Sequence, residues 1–197
     1  AASVLGGGGG GKDDLAQGGD AAHLDIVENG AVVPIGIESR IRGTESIALL
    51  IEKNPSPLAA SFDIPEDTQP SVRTRVKMAE TSLVYALVKA NGRHFVARKE
   101  VQIIQGGCGA DIPQAESSGR SKGVPRPMRI RAAFNGDVVN VKVLMSHEME
   151  TGLRKDPAGK LVPAHFIQSI AVTRPHKTVL SAQWGTSVSR DPYLEFN

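Results

Sequence analysis

One cysteine stands in the chain, Cys108, within the run Gly106-Gly107-Cys108-Gly109-Ala110. Without a second cysteine no internal disulfide can form. A thiol kept only for packing belongs among apolar residues at strand or helix spacing. Cys108 instead has glycine on both sides, which supplies no shielding side chain and leaves the backbone many conformations. That setting favours a functional thiol on a flexible arm formed by Gly106, Gly107 and Gly109. The thiolate is the reactive form, and an ordinary cysteine titrates at about 8.5. Nothing local lowers that value: Asp111 would disfavour the thiolate, and no histidine is near in sequence. A catalytic nucleophile needs its own base, whereas a carrier thiol can depend on the enzymes that load it.

Other residues offer weaker chemistry. Met145, His147 and Met149 fall on one face if a strand continues through them, and such soft ligands can hold Cu(I). The plainer reading makes Met145 core and His147 a loop residue. His147-Glu148 opens no zinc motif, because HExxH would need histidine where Thr151 stands. His23, His94, His165 and His176 are scattered and read as structural or solvated. Arg73, Arg75 and Lys77 alternate along one strand face, read as a solvated face that discourages edge pairing rather than an anion site. The cluster Arg154-Lys155-Asp156 fits either a partner contact or an interface within the chain. The glycines at 6–11 form no phosphate loop, since Lys12 is followed by Asp13-Asp14. Trp184 reads as a core anchor. No metal or cofactor is expected, and no acid–base or nucleophile–base pair can be assembled.

These residues need a scaffold. The chain has 197 residues, 40% hydrophobic and 22% charged, with 21 Gly and 12 Pro. That is a globular composition, room for one ordinary domain or two small ones. Aromatics are only 4%, so the core must rest on Val, Ile, Leu and Ala. A formal net charge of +2 is too mild to argue for nucleic acid. The longest apolar run, residues 83–88, is too short to insert in a membrane. No signal segment opens the chain, and Ala1-Ala2 is compatible with a mature chain from which one has been removed.

Period-two patterning dominates. Residues 31–39, 46–53, 60–64, 71–80, 81–90 and 93–104 read as strands, with Pro34 marking an edge or bulge. Asn91-Gly92 signals a hairpin. After a Gly/Ser/Pro-rich stretch, residues 128–134, 137–146, 165–173 and 177–184 read as strands, with a second hairpin at Asn135-Gly136. No long amphipathic helix and no repeat is seen. The organisation expected is a flexible N-terminal segment (1–23), a β-sandwich ending in the Gly-Gly-Cys-Gly arm (24–108), a linker (109–127) and a second β-sandwich (128–197). About 18 flexible linker residues reach roughly 21 to 25 Å.

The run Val101-Gln102-Ile103-Ile104-Gln105-Gly106-Gly107-Cys108-Gly109 resembles the C-terminal arm of the SoxY family, the sulfur-carrier subunits of thiosulfate oxidation. Glu28-Asn29-Gly30-Ala31-Val32-Val33-Pro34-Ile35 and Asn54-Pro55-Ser56-Pro57 resemble the same family. Downstream, Ser146-His147-Glu148-Met149-Glu150-Thr151-Gly152-Leu153-Arg154-Lys155-Asp156 resembles SoxZ, its partner family, and Gln183-Trp184-Gly185 and Pro192-Tyr193-Leu194 extend the likeness. The whole looks like a fused SoxYZ-type carrier.

The resemblance implies an all-β protein of two immunoglobulin-like β-sandwich domains joined by a flexible linker, in the periplasm. It implies that Cys108 carries thiosulfate-derived sulfur covalently and presents it to Sox-type enzymes: a haem-containing thiosulfate-coupling enzyme, a sulfate-releasing hydrolase and a sulfur dehydrogenase. The carrier then has no active site of its own, and its glycine arm is narrow enough for a narrow entrance. The alternative is a non-covalent accessory module of a quinoprotein dehydrogenase system, with Cys108 incidental. In the SoxY family the arm is a free end, GGCGG, whereas here it reads GGCGA and runs on. The SoxZ-like half stops at Asn197, earlier than that family usually ends, and is read as truncated or completed by another segment. A lone thiol can also link two chains into a disulfide homodimer through Cys108.

Overall fold

The structure is a computed structural model that describes residues 2–5, 25–106 and 128–197. Among them there is no helix, and the strands follow in the order β1 (Ala2–Leu5), β2 (Asp25–Asn29), β3 (Val33–Glu38), β4 (Thr44–Ile51), β5 (Leu58–Asp63), β6 (Ser71–Val76), β7 (Ser82–Ala90) and β8 (Arg93–Gln105). Beyond the Gly/Ser/Pro-rich stretch come β9 (Arg129–Asn135), β10 (Val138–Leu144), β11 (Ser169–Arg174), β12 (Lys177–Trp184) and β13 (Tyr193–Phe196). Ala2–Leu5, which the sequence assigns to a flexible segment, instead form β1 and pair in parallel with β3.

Alternation drives these strands, because successive side chains point to opposite faces. In β4, Ile47, Leu49 and Ile51 are fully buried. In β6, Val72, Thr74 and Val76 face inward while Arg73 faces water. Pro34 lies opposite Arg75 of β6, and on its other side β1 pairs only from Ile35 to Glu38, so Pro34 sits at the open end of that ladder. Both hairpin signals hold. Asn91 and Gly92 have φ of 51° and 70°, as a tight turn between β7 and β8 requires. Gly136, at φ 62°, opens the turn between β9 and β10.

The fold is the expected all-β one of two sandwich halves, but the halves share both sheets. One sheet runs β1-β3-β6-β13-β10-β9, the other β11-β12-β5-β4-β7-β8-β2. Each therefore crosses from the first half to the second by strand pairing. Leu194 lies opposite Thr74 where β13 meets β6, and Trp184 opposite Ala60 where β12 meets β5. The core is likewise continuous: Phe62, Leu49 and Val72 pack in one cluster with Leu180, Trp184 and Leu194. Each such side chain contributes about 1.5–3 kcal/mol on burial. Trp184 is the expected anchor, 4% exposed, although its Nε1 finds no hydrogen-bond partner among the described residues.

Candidate functional site

Cys108, Gly107 and Gly109 lie outside the described residues. Gly106 is described, and it marks where the arm leaves the sheet. β8 carries the chain to it between two neighbours, antiparallel β7 and parallel β2, which pairs Asn29 with Gln105. Gly30 N–H then donates to the Gln105 carbonyl at 2.7 Å, and the Gly30 carbonyl accepts from Met78 N–H at 2.7 Å. Ile103 N–H donates to Thr81 Oγ1 at 2.9 Å. At Gly106 itself a Cβ would stand 2.1 Å from the Ala79 carbonyl oxygen. Only glycine lets the backbone pass there. This glycine, expected to lend flexibility, is pressed against residues 78–79 as a fixed root.

Residues 77–79 are held in turn by both halves. Asn54, buried in the Asn-Pro-Ser-Pro turn, donates from Nδ2 to the Lys77 carbonyl at 2.7 Å and to Ser187 Oγ at 3.0 Å. Its Oδ1 accepts from Ala79 N–H at 3.0 Å. Lys77 N–H donates to the Ser187 carbonyl at 2.6 Å. The Lys77 side chain is not on the exposed basic face that alternation suggests. β6 ends at Val76, and Lys77 turns inward, 8% exposed, donating from Nζ to the Met149 carbonyl and, at 3.3 Å, to the Thr186 carbonyl. Carbonyls solvate a buried ammonium that water no longer reaches. Four of these contacts, on the three residues Met149, Thr186 and Ser187, come from the second half, so that half braces the root of the arm.

Met149 has φ 52° and is fully buried, and its Sδ accepts from Ile167 N–H at 3.4 Å. Its N–H donates to His147 Nδ1 at 2.9 Å. Two of the three would-be copper ligands, His147 and Met149, are thus turned onto backbone groups, and β10 ends at Leu144, before the Met145–His147–Met149 run. Among the described residues no group of three or more His, Cys, Asp or Glu could hold a metal. His165, one of the scattered histidines, is brought onto His147, with ring centroids 4.8 Å apart and planes tilted by 37°. Burial pushes the His147 pKa below its ordinary value, helped by His165 and Lys77 and opposed by Glu148.

The Arg154 guanidinium grips Glu150 at 2.6 and 3.0 Å, and this hydrogen bond raises the arginine's pKa. Asp156 Oδ1 accepts from Ala158 and Lys160 N–H, each at 2.9 Å. Arg154 and Asp156 therefore shape their own loop instead of joining the halves. An open concavity of about 700 Å³ lies at the other end of the strands, lined by Ser39, Thr44, Pro70 and Asn91. It shares no residue with the arm root.

Residues 13–108 match the family described as "Sulfur oxidation protein SoxY", and residues 128–197 match "Sulphur oxidation protein SoxZ". Among solved structures, the sulfur carrier protein SoxY from Chlorobium limicola f thiosulfatophilum is 32% identical over 45% of this chain and 83% of that one, with a TM-score of 0.40. No curated protein matches the chain.

Proposed function

The chain belongs to the SoxY family over its first segment and to the SoxZ family over its second, and we propose that it is a covalent sulfur carrier using Cys108. The observation that carries this reading is the arm root. A single cysteine follows, by two residues, a glycine wedged under a backbone carbonyl, and both halves of the protein hold that carbonyl's segment in place. A fixed root lowers the entropy lost when a partner takes up the arm.

Loading joins the Cys108 thiolate to the terminal sulfur of thiosulfate. One S–S bond forms, and two electrons leave to a haem-containing oxidase. A partner hydrolase then adds water across the bond to the outer sulfone, releasing sulfate and two protons and leaving a persulfide on Cys108. A sulfur dehydrogenase oxidises that sulfur further. The carrier supplies no acid, base or metal to these steps. We place it in the periplasm, where these partners act.

The test is intact mass of the protein purified from its native cells, before and after a reductant, with Cys108→Ser as control. Reductant-sensitive sulfur adducts that vanish in the serine variant support the carrier. A clean mass with retained activity of the variant would instead indicate the non-covalent accessory role beside a quinoprotein dehydrogenase. That second reading draws on the run-on of GGCGA into another segment, since an arm tethered at both ends enters a deep channel less easily.

A further inference from the structure

The shared sheet β1-β3-β6-β13-β10-β9 has one solvent face built by both halves. Residues opposite one another in register share a face. One row across it holds Gly36, Arg73, Glu195, Lys142 and Arg131. In the next row Arg75 lies opposite Pro34, and Arg129 and Tyr193 flank Leu144. The Arg75 guanidinium sits 4.9 Å from the centre of the Tyr193 ring.

Five cations therefore surround one carboxylate. Glu195 is already saturated: it accepts from Tyr193 Oη at 2.5 Å and from Asn140 Nδ2 at 3.0 Å, and pairs with Lys142 at 3.4 Å and Arg73 at 3.7 Å. Glu38, at the end of β3, pairs with Arg40. Among the described residues, Arg75, Arg129 and Arg131 have no carboxylate partner. The whole chain carries a net charge of only +2, so this face concentrates charge that the rest of the surface lacks.

Its position matters as much as its sign. Arg75 precedes Ala79, the residue against Gly106, by four positions, and Pro34 follows Gly30, which bonds Gln105, by four. Along the chain, the nearer cation row thus begins four residues from the segments that hold the arm root. Arg73 and Arg131 are three inter-strand spacings apart, about 14 Å. That is too wide for one inorganic anion, and Glu195 sits between them. A protein surface bearing several carboxylates spans it. A membrane docked here would aim the arm at lipid instead of at an enzyme.

We propose that this face docks a carboxylate-rich protein surface beside the entrance that receives the arm. The link to sulfur transfer rests on the carrier reading above, while the docking itself stands on the charge rows. Exposed pairs of this kind raise association rate and fix orientation, and salt screens them.

The test titrates the full chain with poly-L-glutamate and follows backbone amide NMR shifts. Shifts should be confined to β6, β13, β10 and β9 and should fade in about 0.3 M salt. Arg129→Ala with Arg131→Ala, on an exposed edge strand, should weaken binding about tenfold. Arg129→Lys with Arg131→Lys should restore it, and Lys89→Ala with Arg174→Ala should leave it unchanged. Shifts elsewhere, equal binding by all variants, or preference for phosphatidylglycerol vesicles over poly-L-glutamate would each overturn the proposal. Intact mass separates the two readings. Alanine variants that still acquire Cys108 adducts but bind poorly confirm docking apart from loading. Binding intact in a protein that never acquires adducts keeps the docking face and overturns its role in sulfur transfer.

Discussion

Gly106 passes so close to Ala79 that a Cβ on it would stand 2.1 Å from the Ala79 carbonyl oxygen. Gly106→Ala must therefore push β8 away from residues 78–79, strain that costs about 1–3 kcal/mol. The urea midpoint should fall at unchanged m, and the Gly30 amide, bonded to Gln105, should exchange faster. A variant with the wild-type midpoint and exchange rate would show that the root is not pinned.

Lys77 joins the halves through the Met149 and Thr186 carbonyls. In Lys77→Met the side chain still fills the space, but those carbonyls lose their donor. Each buried acceptor left unsatisfied costs about 1–3 kcal/mol. Chemical denaturation should report a loss in that range. Because Lys77 also lowers the His147 pKa, an NMR titration of the variant should find that pKa raised. An unmoved His147 titration would mean that Lys77 does not act on the SoxZ-family loop.

How much of this was legible in the sequence depends on length and period. Long alternating strands such as β4, β7 and β12 and both glycine hairpins are plain, because burial on one face and a positive φ leave marks in residue type. The connection between the halves is not. β13 has four residues, too few for a period, yet it pairs with both β6 and β10. Lys77 continues an Arg73, Arg75 alternation on paper, but β6 stops at Val76 and the alternation stops with it. His147 and His165 are 18 positions apart and meet only because Glu150 and His165 pair through their backbones at 2.8 and 3.1 Å. No local pattern encodes such a contact.

His147 gives the protein a pH dependence. Its folded pKa lies below its ordinary 6.5, since burial disfavours the imidazolium. Above that value both folded and unfolded states hold it neutral, and it contributes no slope. As pH falls through 6.5 the unfolded state takes up the proton first, so stability declines until pH passes the lower folded pKa. Protonation at Nδ1 would also set an N–H against the Met149 N–H that it now accepts. Urea midpoints between neutral pH and mild acid should drop in the wild type and flatten in His147→Phe. Parallel profiles would assign the acid sensitivity to other groups.

The two segments should behave as one cooperative unit even when the chain between them is cut. Both sheets cross the boundary, through Leu194 opposite Thr74 and Trp184 opposite Ala60, and Thr74 Oγ1 donates to the Tyr193 carbonyl at 2.9 Å. A cut between residues 109 and 127 breaks none of these contacts. It only frees the translational entropy that the covalent join had removed. Trypsin has targets there in Arg120 and Lys122. The nicked protein should elute as one species at the intact size and come apart only under denaturant. The single tryptophan, Trp184, is in the second segment but packs on the first. Its fluorescence should change in the same single transition that circular dichroism reports for the whole chain. Two separate transitions, or fragments that part on a sizing column after nicking, would mean that each half keeps its own core and that the shared sheets contribute little.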